Sequence, residues 1–385
     1  MSEAVAADLL DGVRERLARD AAPLTPQLVA QALREQGRPV GDATVLAVHD
    51  ALHRDIVGAG PLEPLLRLDG VTDVLVNGAG QVWIDRGAGL ELTGIRFADD
   101  QAVRRLAQRL AATGGRRLDD ASPYVDLRLP DGSRFHAVLA PVARPGTVLS
   151  LRVPRHRVFT LAELVAAEAV GSEGAALLEL VVRRRLAFVV SGGTGSGKTT
   201  LLNALLSLVD DDERVVLVED ASELRPDHGH VVALEARPPN IEGAGEVTLR
   251  TLVRQALRMR PDRLVVGEVR GAEVVDMLAA MNTGHEGGCA TIHANSAADV
   301  PSRIEGLALA AGLTRDAAHS QLASAVDVVL HLGRGRDRRR RLREIGVVTR
   351  APEGAVEVVT GVAFEPDGSP REGPALARLS ALLES

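Results

Sequence analysis

The chain has 385 residues, 45% of them hydrophobic and 25% charged, with a formal net charge of −7. That balance describes a soluble globular protein with room for two domains and excludes one dominated by disorder. Aromatic residues make up only 2%, so the cores are filled by Leu, Val, Ile and Ala, and there is no aromatic platform for stacking single-stranded bases.

The acidic balance also argues against direct nucleic-acid binding, since a phosphate-backbone reader needs a basic face. The single cysteine, Cys289, excludes an internal disulfide and any multi-cysteine zinc site, which fits a reducing compartment. No apolar run is long enough to span a membrane. The best candidate, Phe159 to Val182, is broken by Glu163, Glu168, Glu173 and Glu179. The opening MSEAVAADLL lacks the basic and apolar regions of a signal peptide, so a cytoplasmic location is expected, with membrane association only through partners.

Residues 1–58 read as a helical segment. Leu9, Leu10, Val13 and Leu17 recur at helical spacing, and Thr25-Pro26 reads as a cap and first residue of a second helix. After Gly58 to Pro61 the pattern changes. Short strands are predicted at Val74 to Val76 and Val82 to Ile84, a helix from Asp100 to Thr113, and strands again at Ala137 to Leu139 and Val148 to Val153. Residues 59–153 therefore form a small α+β domain, and 154–160 a basic linker. From 161 to 385, strands at Leu186, Val215, Leu264 and Cys289 alternate with helices, which is the rhythm of a parallel α/β sheet.

Directly after the apolar run Leu186 to Val190 stand Gly192, Gly193, Thr194, Gly195, Ser196, Gly197, Lys198, Thr199 and Thr200. Glycines let the backbone curl until several N–H groups point at one centre, Lys198 reaches the β- and γ-phosphates, and the Thr199 hydroxyl ligates Mg²⁺. A plain glycine-rich turn needs no strand before it and no helix after it. Here Leu201, Leu202, Leu205 and Leu206 supply an apolar helical face next in line.

In parallel α/β sheets, ligands sit at the carboxyl ends of strands. Two apolar runs end in acids there: Val215 to Val218 in Glu219-Asp220, with Glu223 beyond, and Leu264 to Val266 in Gly267-Glu268. Such carboxylates can hold Mg²⁺ or orient a water in line with a γ-phosphate. They can equally cap the next helix or pair with an arginine. His285 and His293 stand eight residues apart across a Gly-rich turn, which is not metal-ligand spacing. Either a hydrogen-bonding core role or γ-phosphate sensing suits them. Arg250, Arg254 and Arg258 form one stripe of an amphipathic helix, ordinarily a solvated face, and Arg134 and Arg152 lie on small-domain segments as surface charges or phosphate contacts. The basic run Gly335 to Arg343 reads as a solvated loop between two strands.

The phosphate loop, EDASEL, LRMRPDRLVVGEVRGAE and AMNTGHEGGCATIHAN occur in that order, and together they resemble the type II/IV secretion-system ATPases. GPLEPLL, VLVNG and LPDGSR extend the resemblance through the small domain to the CpaF/TadA branch that serves tight-adherence pili, over Gly60 to Leu332. The resemblance implies a hexameric ring in which a PAS-like N-terminal domain precedes a RecA-like P-loop ATPase domain, with ATP and Mg²⁺ bound between them. It implies Gly192 to Thr200 as Walker A, Glu219, Asp220 and Glu223 as the aspartate box, Glu268 as the Walker B glutamate, and His285 and His293 as the histidine box. Metal contacts would fall to Thr199, Glu219, Asp220 and Glu268, and Arg134 and Arg152 match the small-domain arginines that reach nucleotide. Three departures stand out. The tetracysteine module of the type II branch is missing, Gly267 occupies the place of the usual Walker B aspartate, and Pro301 falls inside the expected helix Ala297 to Ala310.

The expected function is thus an ATP-driven motor working with polytopic inner-membrane platform proteins to assemble a pilus or secrete protein. A conjugation ATPase that moves DNA would share the engine, and a nucleotide-gated scaffold would share the site but hardly turn over. Salt-dependent DNA binding marks the former, and absence of turnover with membrane partners the latter.

Overall fold

The computed structural model describes residues 25–35, 41, 45, 58–87, 89–153, 158–239, 243–284, 286–335, 337 and 339–384. The chain divides into two compact units, residues 1–155 and 156–385. Leu9, Leu10, Val13 and Leu17 lie outside the described residues. The helix expected after Thr25 runs Pro26–Glu35, and the Thr25 hydroxyl accepts from the Leu28 amide at 3.3 Å. Proline is tolerated there because the first helical N–H has no partner within the helix.

The first unit is built on an antiparallel sheet ordered β3-β2-β1-β6-β5-β4, made of β1 (Asp73–Asn77), β2 (Val82–Asp85), β3 (Leu90–Leu92), β4 (Tyr124–Arg128), β5 (Arg134–Val138) and β6 (Val148–Arg152). Alternation puts Val74, Val76, Phe135, Ala137, Leu149 and Leu151 on the buried face. The helix Asp100–Thr113 packs on that face through Val103, Leu106, Ala107, Leu110 and Ala111. It is capped by Asp99, whose carboxylate accepts from the Ala102 amide at 2.7 Å. The short edge strands β3 and β4 escape the periodicity used above because the residues of β3 are all exposed and those of β4 alternate only partly.

The second unit carries nine strands in the order β15-β14-β13-β12-β7-β11-β10-β8-β9. They are β7 (Phe188–Gly192), β8 (Val215–Glu219), β9 (Val231–Glu235), β10 (Arg263–Val269), β11 (Cys289–Ile292), β12 (Val328–Arg334), β13 (Arg340–Arg350), β14 (Val356–Phe364) and β15 (Pro370–Glu372). From β9 to β12 every pairing is parallel, and from β12 to β15 every pairing is antiparallel. Both faces are covered. Phe188, Val190, Val215 and Leu217 point to one core, with the helices Ser172–Arg183, Lys198–Leu206 and Leu376–Glu384, whereas Val189, Val216 and Val218 point to the other. That second core is closed by Leu249–Ala256, Glu273–Met281, Val300–Ala310 and Arg315–Ala325. Burial on both faces explains the continuous apolar runs of these strands. Each fully buried Leu or Val contributes about 1.5–3 kcal/mol, so the sheet is a rigid mount for the loops at its carboxyl ends.

Local signals set the connections. Thr160 and Glu163 form a reciprocal capping box before Leu161–Ala166, with bonds of 3.2 and 2.9 Å. Pro301 falls in the first turn of the helix Val300–Ala310, where it costs no internal hydrogen bond. The buried Arg263 at the start of β10 donates to both carboxylate oxygens of buried Glu213, at 2.6 and 3.0 Å, and to the Val182 carbonyl at 3.0 Å. Gly287 packs against this guanidinium with φ of +73°, so no side chain fits at the turn leading into β11. Among the described residues no helix is long and apolar enough to cross a membrane.

Candidate functional site

The glycine-rich loop leaves β7 and enters the helix Lys198–Leu206. Gly195 and Gly197 have φ of +65° and +102°, and a Cβ at Gly192 would come within 2.5 Å of the Leu332 carbonyl and 2.6 Å of Ser196 Oγ. Only glycine serves at these positions. The following helix directs its unpaired N–H groups into the loop, where an anion is favoured. Lys198 is buried, and its Nζ donates to the Gly192 carbonyl at 3.1 Å and the Gly193 carbonyl at 3.3 Å. Burial, opposed by Glu268, holds its pKa below the usual lysine value.

Parallel pairing brings the acids alongside. Glu268 lies near the end of β10 and His293 just past β11, with His293 Nε2 3.4 Å from Lys198 Nζ and 2.8 Å from Glu268 Oε1. Burial and the Lys198 cation depress the His293 pKa, leaving a neutral imidazole between a cation and a carboxylate. Arg270 pairs with the other oxygen of Glu268. An open cleft next to Gly193 is bounded by His293, Asn295, Asp299, Ser302 and Arg303. His285 lies outside the described residues.

Glu219 ends β8 and is nearly inaccessible. Its Oε1 accepts from the Glu223 and Leu224 amides at 3.0 and 2.9 Å, which folds the EDASEL segment back on itself. Burial raises its pKa to about 7. A Cβ at Gly267 would lie 2.7 Å from Glu219 Cγ, so Glu219 fills the space that a Walker B aspartate would need. Glycine before Glu268 is therefore a packing requirement. Asp220 and Glu223 are exposed, and the charge of Glu223 reaches Lys198.

Folding holds more protons on Glu219 than unfolding does between pH 4.5 and 7. Nucleotide-free stability from this group is thus full below the ordinary glutamate range and lost as pH rises through 7, by about 3 kcal/mol in all. Urea midpoints taken from pH 5 to 8 should fall less steeply in Glu219→Gln than in the parent chain. Parallel slopes would contradict the shift.

Ser196 Oγ and Glu219 Oε2 are buried and make no hydrogen bond among the described residues, and buried Glu268 Oε1 has only His293 Nε2 beside it, at 2.8 Å. A hydroxyl and two carboxylate oxygens left largely unsatisfied at a phosphate-type loop suit a nucleotide with hydrated Mg²⁺. Among the described residues no group of three or more His, Cys, Asp or Glu side chains gathers as a metal site. Mg²⁺ takes most of its ligands from phosphates and water, so the Thr199 hydroxyl and one or two of these carboxylates fit it.

In the first unit, Arg134 grips Asp126 with two bonds of 3.1 and 2.6 Å, and Arg152 donates to Asp73 at 3.1 Å. Register sets Arg128 opposite Arg134 and Arg134 opposite Arg152, so three guanidinium side chains line one row of the sheet. Like charges directly opposite are destabilising, and here each is offset by an acceptor: Asp126 for Arg134, Asp73 for Arg152 and the Gly132 carbonyl, at 3.2 Å, for Arg128. Arg128 could not be picked from sequence because only strand pairing reveals it. Arg250 and Arg254 both clamp Asp276, at 2.7 and 2.6 Å, so they tie two helices together. His331, which spacing also passed over, is buried in β12 with Nδ1 2.9 Å from the Ser191 hydroxyl. A histidine inside the apolar run VVLHLG was the available signal.

A strand, glycine-rich loop and helix with acids at the ends of neighbouring parallel strands define the P-loop nucleotide-binding class. The chain belongs to the type II/IV secretion system protein family, which matches residues 55–359, and so to the secretion and conjugal-transfer ATPases. It is 59% identical over 327 residues to a Mycobacterium tuberculosis protein named for conjugal transfer, covering 83% of this chain and 93% of that one. Identity to the conjugal transfer protein TrbB of Rhizobium radiobacter is 31% over 282 residues, 71% of this chain and 83% of TrbB. The pilus retraction motor PilT, solved with bound ADP, matches with a TM-score of 0.53 at 18% identity over 85% of each chain, a likeness of fold.

Proposed function

We propose that this chain is a Mg²⁺-dependent ATP hydrolase of the CpaF/TadA type that works as a homo-hexameric motor at the inner face of the cell membrane. It would drive polytopic platform proteins to assemble a tight-adherence pilus or secrete protein. The observation that carries the reading is the convergence of Lys198, His293 and Glu268 on one loop, with His293 Nε2 within 3.4 Å of Lys198 and 2.8 Å of Glu268. Lys198 and the loop amides hold the phosphates, and Glu268 orients the attacking water. Thr199, with Glu219, Asp220 or Glu268, holds the magnesium ion that offsets phosphate charge. His293, and His285 by resemblance, report the γ-phosphate. Residues 59–153 serve in this reading as a PAS-like domain and 161–385 as the RecA-like engine. Steady-state phosphate release by the purified chain, with Mg²⁺ and with chelator, tests this. No release above background, with or without membranes, would end it.

Arg134 and Arg152 are proposed to bring positive charge to the phosphates during turnover. Arg134→Ala should lower the hydrolysis rate by about tenfold or more with secondary structure unchanged. An unaltered rate returns Arg134 to a surface pair with Asp126.

A second reading, DNA transfer, is favoured by the relatives named for conjugal transfer. The net charge of −7 weighs against direct DNA contact. Binding to duplex or single-stranded DNA that weakens steeply with salt would support it.

A further inference from the structure

We propose that His331 is a positioning residue that fixes His293 against the phosphate loop, an inference that rests on the ATPase reading above. Its ring is buried in β12, where Nδ1 stands 2.9 Å from the hydroxyl of Ser191, which is also buried. Strand pairing explains the contact. His331 lies opposite Ser191 on one flank of β7, and Ile292 of β11 lies opposite Ser191 on the other. The backbone of Asn295, just past the end of β11, hydrogen-bonds to the same ring, so the turn leaving β11 reaches across the end of β7.

Both bonds need a neutral imidazole, with one donor and one acceptor. Burial holds the ring below the usual histidine pKa, against the pull of Glu344 and Asp299, so it carries a single N–H. The Asn295 contact favours the protonated ring, as a carbonyl accepting from that N–H does, and Nδ1 is left to accept from the Ser191 hydroxyl. An apolar side chain would fill this place without burying two polar atoms, as Val329 does earlier on the same face of β12. What the polar ring adds is a closed circuit. Ser191 precedes Gly192, whose carbonyl holds Lys198 Nζ at 3.1 Å, and Asn295 follows His293, whose Nε2 is 3.4 Å from that same Nζ. His331 therefore joins, within the core, the two segments that meet at Lys198. Gly193, His293 and Asn295 border one cleft, so a slack tether displaces His293 from the phosphate it reports.

The test measures turnover and ATP affinity of the full-length chain with Mg²⁺ in His331→Leu, His331→Gln and Ser191→Ala. His331→Leu should lower kcat by about tenfold or more while the ATP dissociation constant stays within about twofold of the parent. His331→Gln, whose amide has a donor and an acceptor, should recover turnover to within about threefold of the parent. Ser191→Ala, which cuts one bond of the two, should lose an intermediate amount with binding retained. In a His293→Ala background, His331→Leu should cost less than about twofold further, because the group it positions is gone. Parental kcat in His331→Leu or Ser191→Ala, parallel loss of binding and turnover, a glutamine variant as slow as the leucine one, or fully additive losses with His293→Ala each overturn the assignment. A parent chain that binds ATP but never hydrolyses it removes the ATPase reading, and this assignment with it.

Discussion

Lys198→Ala should abolish measurable ATP hydrolysis and weaken ATP binding by about a hundredfold or more. Its ammonium is the one side-chain cation buried inside the loop, held at 3.1 and 3.3 Å by the Gly192 and Gly193 carbonyls until phosphate oxygens compete for it. A buried, preorganised charge at developing phosphoryl charge is worth several kcal/mol. Removal also leaves two loop carbonyls without their donor, so the loop loses shape as well as charge. Phosphate release and nucleotide titration on the same preparation measure both effects. Retention of parental Mg²⁺-dependent turnover would falsify the assignment of this loop as the engine.

Glu268→Gln should behave differently. The amide preserves the shape next to His293 and Arg270, so ATP affinity should stay within a few-fold of the parent while turnover falls by about 10²–10⁴. In the proposed mechanism, loss of the carboxylate would remove the acceptor that polarises the attacking water, while His293 Nε2, 2.8 Å from Oε1, would still find an amide oxygen or nitrogen in the same place. Single-turnover hydrolysis beside equilibrium binding separates the two quantities. Parallel losses in both would reassign Glu268 to phosphate or metal binding.

What sequence conveyed was whatever lies close together along the chain. The phosphate loop, the cap at Thr25, Pro301 in the helix after Ala297 and the helix from Asp100 each depend on a few consecutive residues. The strands β7, β8, β10 and β11 were readable because burial on both faces makes them uniformly apolar. Strands β3, β4, β9, β14 and β15 were not, since they alternate weakly or owe their existence to neighbours far along the chain, and β12 and β13 were legible only as the two strands flanking the basic run. The same distance hid the chemistry at the site's edges. The Ser191–His331 bond and the bond from Arg334 to the Gly195 carbonyl arise from strand pairing, with separations of 140 and 139 residues. Arg270 on Glu268 is local, two residues along the chain, and only the backbone path past β10 shows which way the guanidinium turns. The reading of residues 335–343 as a solvated loop between two strands fits its first part, where Asp337 and Arg339 are exposed between β12 and β13, but Arg340 to Arg343 already belong to β13, and Arg341 and Leu342 are buried there.

The close fit of Gly267 around Glu219 couples the two positions: an aspartate introduced at 267 collides with the Glu219 stem, and a shorter acid at 219 leaves a void beside Gly267. Either change alone is penalised, and only a paired exchange, acid gained at 267 and bulk lost at 219, keeps these strand ends packed.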